Sequence, residues 1–75
     1  MATLQTGTYE HYKGKRYEVI GQATHSETGE PMVVYRGLYD DPELGHEPLF
    51  VRPLSVFLES VMVNGESVPR FKKTT

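Results

Sequence analysis

The chain has 75 residues, a formal net charge of −2 and no cysteine. A chain of this length forms one small domain, which buries only about 60% of the surface that its unfolded form exposes. The lack of cysteine excludes disulfides and thiolate metal sites as supports for so small a core. The slight acidity disfavours a general nucleic-acid-binding protein. Residues 1–15 show no basic segment followed by an apolar run, so we expect no signal peptide, no membrane partner and a cytoplasmic protein.

The first half of the chain alternates turn-forming residues with short segments rich in β-formers. Turns about ten residues apart are typical of a small all-β domain. Residues 16–20 place Tyr17 and Val19 on one face of a strand. Residues 32–39 form a longer, mostly apolar run, which predicts a central strand covered on both sides. Gly37 interrupts this run and predicts a β-bulge that bends the strand.

The second half predicts a short strand, one helical turn and a hairpin. The strand, residues 49–52, should end at Pro53, because proline cannot donate to a ladder. Apolar residues between 54 and 61 have helical spacing, but over so short a segment that we expect a single turn, helical or 3₁₀. Asn64 and Gly65 form the strongest short hairpin signal, so a terminal hairpin should follow.

These elements define the fold class that we predict, which is all-β. About five short antiparallel strands cannot make two large sheets, and closing them into a barrel leaves few free edges. We favour a small SH3-like barrel with one short helical or 3₁₀ turn over an OB-like barrel, because the helical turn precedes the last strands. The whole chain, 1–75, is one domain with an ordered core of about residues 8–72, and its polar ends should fray.

Short motifs spread along residues 9–71 carry a family resemblance. They are HYKG at 11–14, YEV at 17–19, HSET at 25–28, VYR at 34–36, LY at 38–39, VRP at 51–53, Phe57 and PRF at 69–71. With them the chain closely resembles a small bacterial family, the domain-of-unknown-function family numbered 1653. The resemblance implies an SH3-type barrel in a stand-alone cytosolic protein, and it implies no activity, since the family has none assigned. Two residues depart from the pattern: Phe50 stands where the family usually has tryptophan, and Val56 where methionine is common.

The segment after residue 24 brings together the residue types of a catalytic triad, His25, Ser26 and Glu27. A triad needs its nucleophile within hydrogen-bond reach of its base, whereas adjacent residues on an extended chain point to opposite faces. A turn explains the same residues, with the Ser26 and Thr28 hydroxyls bonding to backbone amides and Gly29 at positive φ. We therefore predict a turn, no catalytic residue and no enzyme.

The loop at 40–47 is acidic and contains a histidine. Its spacing does not match the EF-hand pattern, and Pro42 interrupts it. A solvated connecting loop is the simplest interpretation, with a divalent-cation site as the alternative. We predict no metal ligand and no cofactor.

The arginines inside the apolar segments have two interpretations. An unpaired buried guanidinium costs several kcal/mol, so Arg36 or Arg52 could brace the barrel by pairing with a nearby glutamate, one of Glu18, Glu27 and Glu59. Alternatively, arginines and tyrosines line one binding groove, in which the planar guanidinium holds a carboxylate or phosphate. The candidate groove comprises Tyr35, Arg36, Tyr39, Arg52, Arg70 and His25.

Three functions remain open at this point. The first is a non-enzymatic interaction module that binds a protein or peptide segment through this groove. The second is a small RNA-binding barrel, suggested by Lys13, Lys15 and Arg16 beside the aromatic group Tyr9, His11, Tyr12 and Tyr17, although core tyrosines explain that group more simply. The third is a small metal-dependent hydrolase that uses His25 and the acidic loop, which the limited room for a pocket disfavours. A homodimer is compatible with each of them.

Overall fold

The protein is an antiparallel β structure with one helical turn, in a computed structural model that describes residues 4–74. The elements are β1 Gly7–His11, β2 Arg16–Thr24, β3 Pro31–Gly37, β4 Asp40–Asp41, β5 Gly45–His46, β6 Leu49–Pro53, α1 Leu54–Phe57, β7 Ser60–Val63, β8 Glu66–Pro69 and β9 Phe71–Lys73. No helix within residues 4–74 has the length and apolar character needed to cross a membrane.

Five strands form one antiparallel sheet in the order β6-β3-β2-β1-β9. β1, β2, β3 and β6 are joined as a meander, and α1 then carries the chain back so that β9 pairs with β1. The pairs β4–β5 and β7–β8 form separate two-stranded sheets. A last strand that returns to the first after a helical turn is the strand order expected of an SH3-like barrel. The prediction of a small all-β barrel is therefore confirmed.

The last strands, β8 and β9, behave as one bent strand with Arg70 at the bend. The Arg70 N–H donates to the Glu59 carbonyl at 3.0 Å, which continues the pairing with β7. The Arg70 carbonyl accepts from the Tyr12 N–H at 2.9 Å, which begins the pairing with β1. The pairing of β9 extends to Lys73, so Lys72 and Lys73 are strand residues.

The inner face of the sheet holds the core. Residues that stand opposite each other in neighbouring antiparallel strands have their side chains on the same face of the sheet. The register therefore brings side chains of all five strands together on the inner face. The buried residues are Tyr9, Val19, Val33, Tyr35, Leu54, Phe57 and Phe71. The rings of Phe57 and Phe71 stack with centroids 4.1 Å apart. So small a core is built from aromatic rings because each contributes a large buried area.

The bulge lies in β2 and not at Gly37, so that prediction was wrong. Register shifts between Val19 and Gly21, which makes Ile20 the extra residue. Gly37 is buried at the end of β3, and a Cβ there would lie 2.7 Å from Cε2 of Tyr39. Gly37 therefore leaves room for the Tyr39 ring. A glycine within a strand can mark either a bulge or a close approach of this kind, and the sequence alone does not distinguish the two.

The predicted helical turn and terminal hairpin are both present. β6 ends at Pro53, and the four residues of α1 make one α-helical turn. Asn64 and Gly65 have φ values of 52° and 82°, the two successive left-handed residues that a type I′ turn requires. The hairpin prediction is confirmed.

Candidate binding site on the inner face

The segment with triad-like chemistry is a turn, as predicted. The ring Nδ1 of His25 accepts the N–H groups of Glu27 at 3.2 Å and Thr28 at 3.4 Å, and Gly29 has φ 76°. The Thr28 hydroxyl accepts the Glu30 N–H at 3.2 Å. The His25 ring thus takes the role that we predicted for the Ser26 hydroxyl, and it is engaged by its own turn.

The acidic loop uses its side chains within the loop. A carboxylate oxygen of Asp41 accepts the N–H groups of Leu44 at 3.0 Å and Glu43 at 2.8 Å, and these bonds lower the pKa of Asp41. His46 lies 2.6 Å from the Asp40 carboxylate, and this hydrogen bond raises the pKa of His46. Residues 4–74 contain no group of three or more His, Asp or Glu side chains placed to hold a metal ion.

Arg36 lies on the outer face of the sheet and is ion-paired. Its Nε is 3.9 Å from Glu18, its partner across the β2–β3 ladder, and its Nη1 is 3.8 Å from Glu47. The predicted bracing pair of Arg36 with Glu18 is therefore present. Successive residues of a strand point to opposite faces, so the side chains of Arg36 and its neighbour Tyr35 diverge. Arg36 and Arg52 accordingly do not line one groove.

Arg52 lies on the inner face, because it is opposite the buried Val33 in the β3–β6 ladder. Its guanidinium carbon is 5.5 Å from the centre of the Phe71 ring, a cation–π contact. The side chain is half-buried, yet within residues 4–74 no carboxylate comes within the 4.0 Å of an ion pair with it. Arg52 is thus held by the Phe71 ring and by a side-chain hydrogen bond to Tyr35, without an ion-pair partner in the described chain.

The rings around Arg52 form a continuous set of edge contacts centred on Tyr17. The centroid of Tyr17 is 5.4 Å from Tyr35, 5.6 Å from Phe71 and 6.1 Å from Phe50, and His11 is 4.9 Å from Phe71. Edge-to-face packing at these distances fixes ring orientation as well as burying area. We call this set the Arg52 cluster: Arg52, His11, Tyr17, Tyr35, Phe50 and Phe71.

The Arg52 cluster is a positively charged environment within a protein whose net charge is negative. Burial lowers the pKa of His11, and the charges of Arg52, Arg70 and Lys13 lower it further. Burial raises the pKa of Tyr35, and the Arg52 charge opposes that rise. No carboxylate is among the groups that shift either pKa. The cluster therefore favours a negative ligand group.

The other two candidate groove residues border the Arg52 cluster. The Tyr39 hydroxyl is 3.2 Å from that of Tyr17, and Lys15 Nζ lies 4.4 Å from the centre of the Tyr39 ring. Arg70 Nη2 is 3.4 Å from a Glu59 carboxylate oxygen, whereas the buried Arg70 Nε has no hydrogen-bond partner in the described residues. Of the predicted groove, the structure thus brings together Tyr35, Tyr39, Arg52 and Arg70, with Tyr35 buried as the base.

A cavity of about 400 Å³ adjoins the cluster between β1, β9 and the β7–β8 hairpin. His11 of the cluster lines it together with the charged residues Glu10 and Lys72, and Val63 and Val68 line it from the hairpin. Its volume is within the range of small ligand pockets, roughly 300–1,000 Å³. The cavity therefore meets the Arg52 cluster at His11 and does not reach Arg52 itself.

Sequence reasoning did not assign His11, Tyr17, Phe50 and Phe71 to the same site as Arg52. These residues come from four different strands of the sheet, and only register brings them together. The alternation of residues 9 and 11 in β1 and of 17 and 19 in β2 was the available signal that they share a face.

Comparison with known proteins places the chain in a family. The sequence profile of the DUF1653 family, described as "Protein of unknown function", matches residues 7–73. A crystal structure of a protein belonging to DUF1653 from Bordetella bronchiseptica is 37% identical, with a TM-score of 0.85 over 95% of this chain and 87% of that one. No curated protein matches the chain. The protein belongs to the DUF1653 family, as its motifs indicated.

Proposed function

We propose that the protein is a non-enzymatic binding module of the bacterial cytoplasm that holds a carboxylate-bearing segment of another protein at the Arg52 cluster. One observation carries the proposal: a half-buried guanidinium on an aromatic face with no carboxylate beside it in the described chain. A buried charge is usually retained with a partner. A carboxylate from outside the chain supplies one here. The cysteine-free sequence supports a reducing compartment.

The chemistry of the cluster suits a peptide carboxylate. Guanidinium offers a planar pair of donors that matches the two carboxylate oxygens. Rigid aromatic rings such as Tyr17 and Phe50 add contact area at low cost in conformational entropy.

The test is a selection of randomised peptides on immobilised wild-type protein. The peptides have about ten residues, which is long enough to span one strand. We expect the retained peptides to carry aspartate or glutamate. Their affinity should fall about tenfold or more for Arg52→Gln, because the replaced group is a charged hydrogen-bond donor. Arg36→Gln is the matched control, since it removes the same charge from the other face.

Two results would overturn the proposal. One is a selection without enrichment. The other is a set of peptides that bind Arg52→Gln as well as the wild type. Single-stranded RNA is tested in parallel, because tight RNA binding that weakens steeply with salt would instead favour the RNA-binding function.

A further inference from the structure

β6 forms a free edge of the sheet, beside which the Arg52 cluster lies. Within residues 4–74, β6 pairs with β3 alone and stands at one end of the strand order. The Gly37 N–H donates to the Pro48 carbonyl at 2.8 Å, which fixes the alternation of the ladder. Phe50 and Arg52 therefore turn their backbone groups to β3, and Leu49 and Val51 turn theirs outward.

The side chains of β6 divide between the two faces in the same alternation. Leu49 and Val51 lie on the outer face, 64% and 60% exposed. Phe50 and Arg52 lie on the inner face, opposite Tyr35 and Val33. A strand that continues the sheet beyond β6 would meet apolar side chains on one face and Arg52 on the other.

The opposite edge of the sheet is protected by comparison. β9 spans only Phe71–Lys73, and two of its residues are lysines. Short length and lysine are two of the means by which edge strands are blocked, and proline and inward-pointing charges are others. β6 has no lysine, and no strand of the described part of the chain covers it. Pro53, which has no N–H, limits further pairing at its end, and the charge of Arg52 must be matched by a strand that adds there.

We propose that the bound segment adds to the β6 edge as an extra antiparallel strand, with a glutamate facing Arg52 and apolar side chains beside Leu49 and Val51. This inference rests on the proposed function and specifies its partner. The free amides supply affinity, while the alternating side chains supply specificity.

Register predicts the sequence of the segment. Read from its N-terminus, the added strand places one residue opposite each of Arg52, Phe50 and the two outward residues Val51 and Leu49. On the inner face, a glutamate stands opposite Arg52 and an aromatic residue stands opposite Phe50. On the outer face, an apolar residue stands opposite each of Val51 and Leu49. The peptide acetyl-Thr-Glu-Val-Tyr-Val-Thr-amide has this pattern.

The experiment measures the binding of this peptide to the isotope-labelled protein by NMR titration. The two valines of the peptide are those whose N–H groups face β6, so N-methylating both should lower affinity about tenfold or more by removing two hydrogen bonds. N-methylating the glutamate and tyrosine instead is the matched control, because those N–H groups face away. Hydrogen exchange at Leu49 and Val51 should slow on binding, while exchange at Phe71 and Lys73 on the β9 edge stays unchanged.

The outcomes separate this inference from the proposed function. Loss of binding for the valine-methylated peptide alone, with protection confined to Leu49 and Val51, supports strand addition. Equal binding of both methylated peptides, or no binding of the unmodified peptide, overturns it. Selected peptides that still require Arg52 would then leave the proposed function standing. Val51→Lys is a second check, since lysine on the edge should weaken the peptide without changing the core.

Discussion

Arg36 and Arg52 lie on neighbouring strands of the same sheet, yet their surroundings differ in kind. Arg36 points to the outer face, where Glu18 and Glu47 lie 3.9 and 3.8 Å away. Arg52 points to the inner face, where its guanidinium lies over the Phe71 ring. The outer-face arginine has two carboxylates at ion-pair distance, while its buried Nε makes no hydrogen bond within residues 4–74. The inner-face arginine has no ion-pair partner in residues 4–74.

The difference shows that the energetic contribution of an arginine depends on which face of the sheet it occupies. On the outer face, water and flexible carboxylates surround the guanidinium, and such pairs contribute little to stability. On the inner face, rings replace water, so a carboxylate from a partner would gain more from the same charge. Substitutions on the two faces of the sheet should therefore have different effects.

The largest expected effect is on the core of the inner face. Phe57→Ala should lower the free energy of unfolding by about 3–5 kcal/mol, because it removes a fully buried ring. Leu49→Ala on the exposed edge should change it by less than about 0.5 kcal/mol. Urea unfolding of both variants checks the comparison. A large loss for Leu49→Ala would mean that the outer face is covered in solution.

The next effect concerns the glycine under Tyr39. Gly37→Ala places a methyl group 2.7 Å from that ring, and overpacking costs roughly 1–3 kcal/mol. Gly21→Ala is the control, since its Cβ would have nothing within 4 Å. Thermal unfolding should separate the two variants. If Gly37→Ala is as stable as Gly21→Ala, Tyr39 does not pack on the inner face.

A smaller effect distinguishes the two arginines by salt. Arg36→Gln should lower the free energy of unfolding by up to about 1 kcal/mol, and the loss should shrink at high salt because the ion pairs are exposed. Arg52→Gln should lose a similar amount, about 0.5–1 kcal/mol from its ring contact, with no such salt dependence. Urea unfolding at low and high salt measures both. Equal salt dependence would contradict the absence of an ion pair at Arg52.

The smallest effect is on proton binding. The pKa of His11 in the folded protein lies below its ordinary value of 6.5, first through burial and then through Arg52, Arg70 and Lys13. Below about pH 6.5 the unfolded state binds a proton that the folded state does not, so His11 contributes stability that is lost as pH falls. His46 has a raised pKa and acts in the opposite sense. The free energy of unfolding is therefore measured against pH in a His46→Gln background, so that the effect of His46 does not mask that of His11.

Arg52→Gln tests the origin of the His11 shift. Removing the Arg52 charge should raise the pKa of His11, while Arg36→Gln leaves it unchanged. NMR titration of the His11 ring reports the value directly. An unchanged pKa in Arg52→Gln would place Arg52 away from His11.

Local signals predicted much of the fold. Asn64 and Gly65 specified their hairpin because both adopt positive φ with little strain, and alternation placed Tyr17 and Val19 on one face. The position of the bulge was not predictable, because Ile20 has no local feature of a bulged residue. The pairing of β9 with β1 joins residues far apart in sequence, for which no local signal exists.

The sequence by itself determined a small all-β domain, its turns and the family to which it belongs, while it left open which of Glu18, Glu27 and Glu59 pairs with an arginine. Only the tertiary structure decided that Arg36 and Arg52 face opposite ways, and that His11, Tyr17, Phe50 and Phe71 surround Arg52. The physical reason is register. Turn chemistry and alternation act over a few residues, whereas the face that a side chain occupies depends on which residue stands opposite in the next strand.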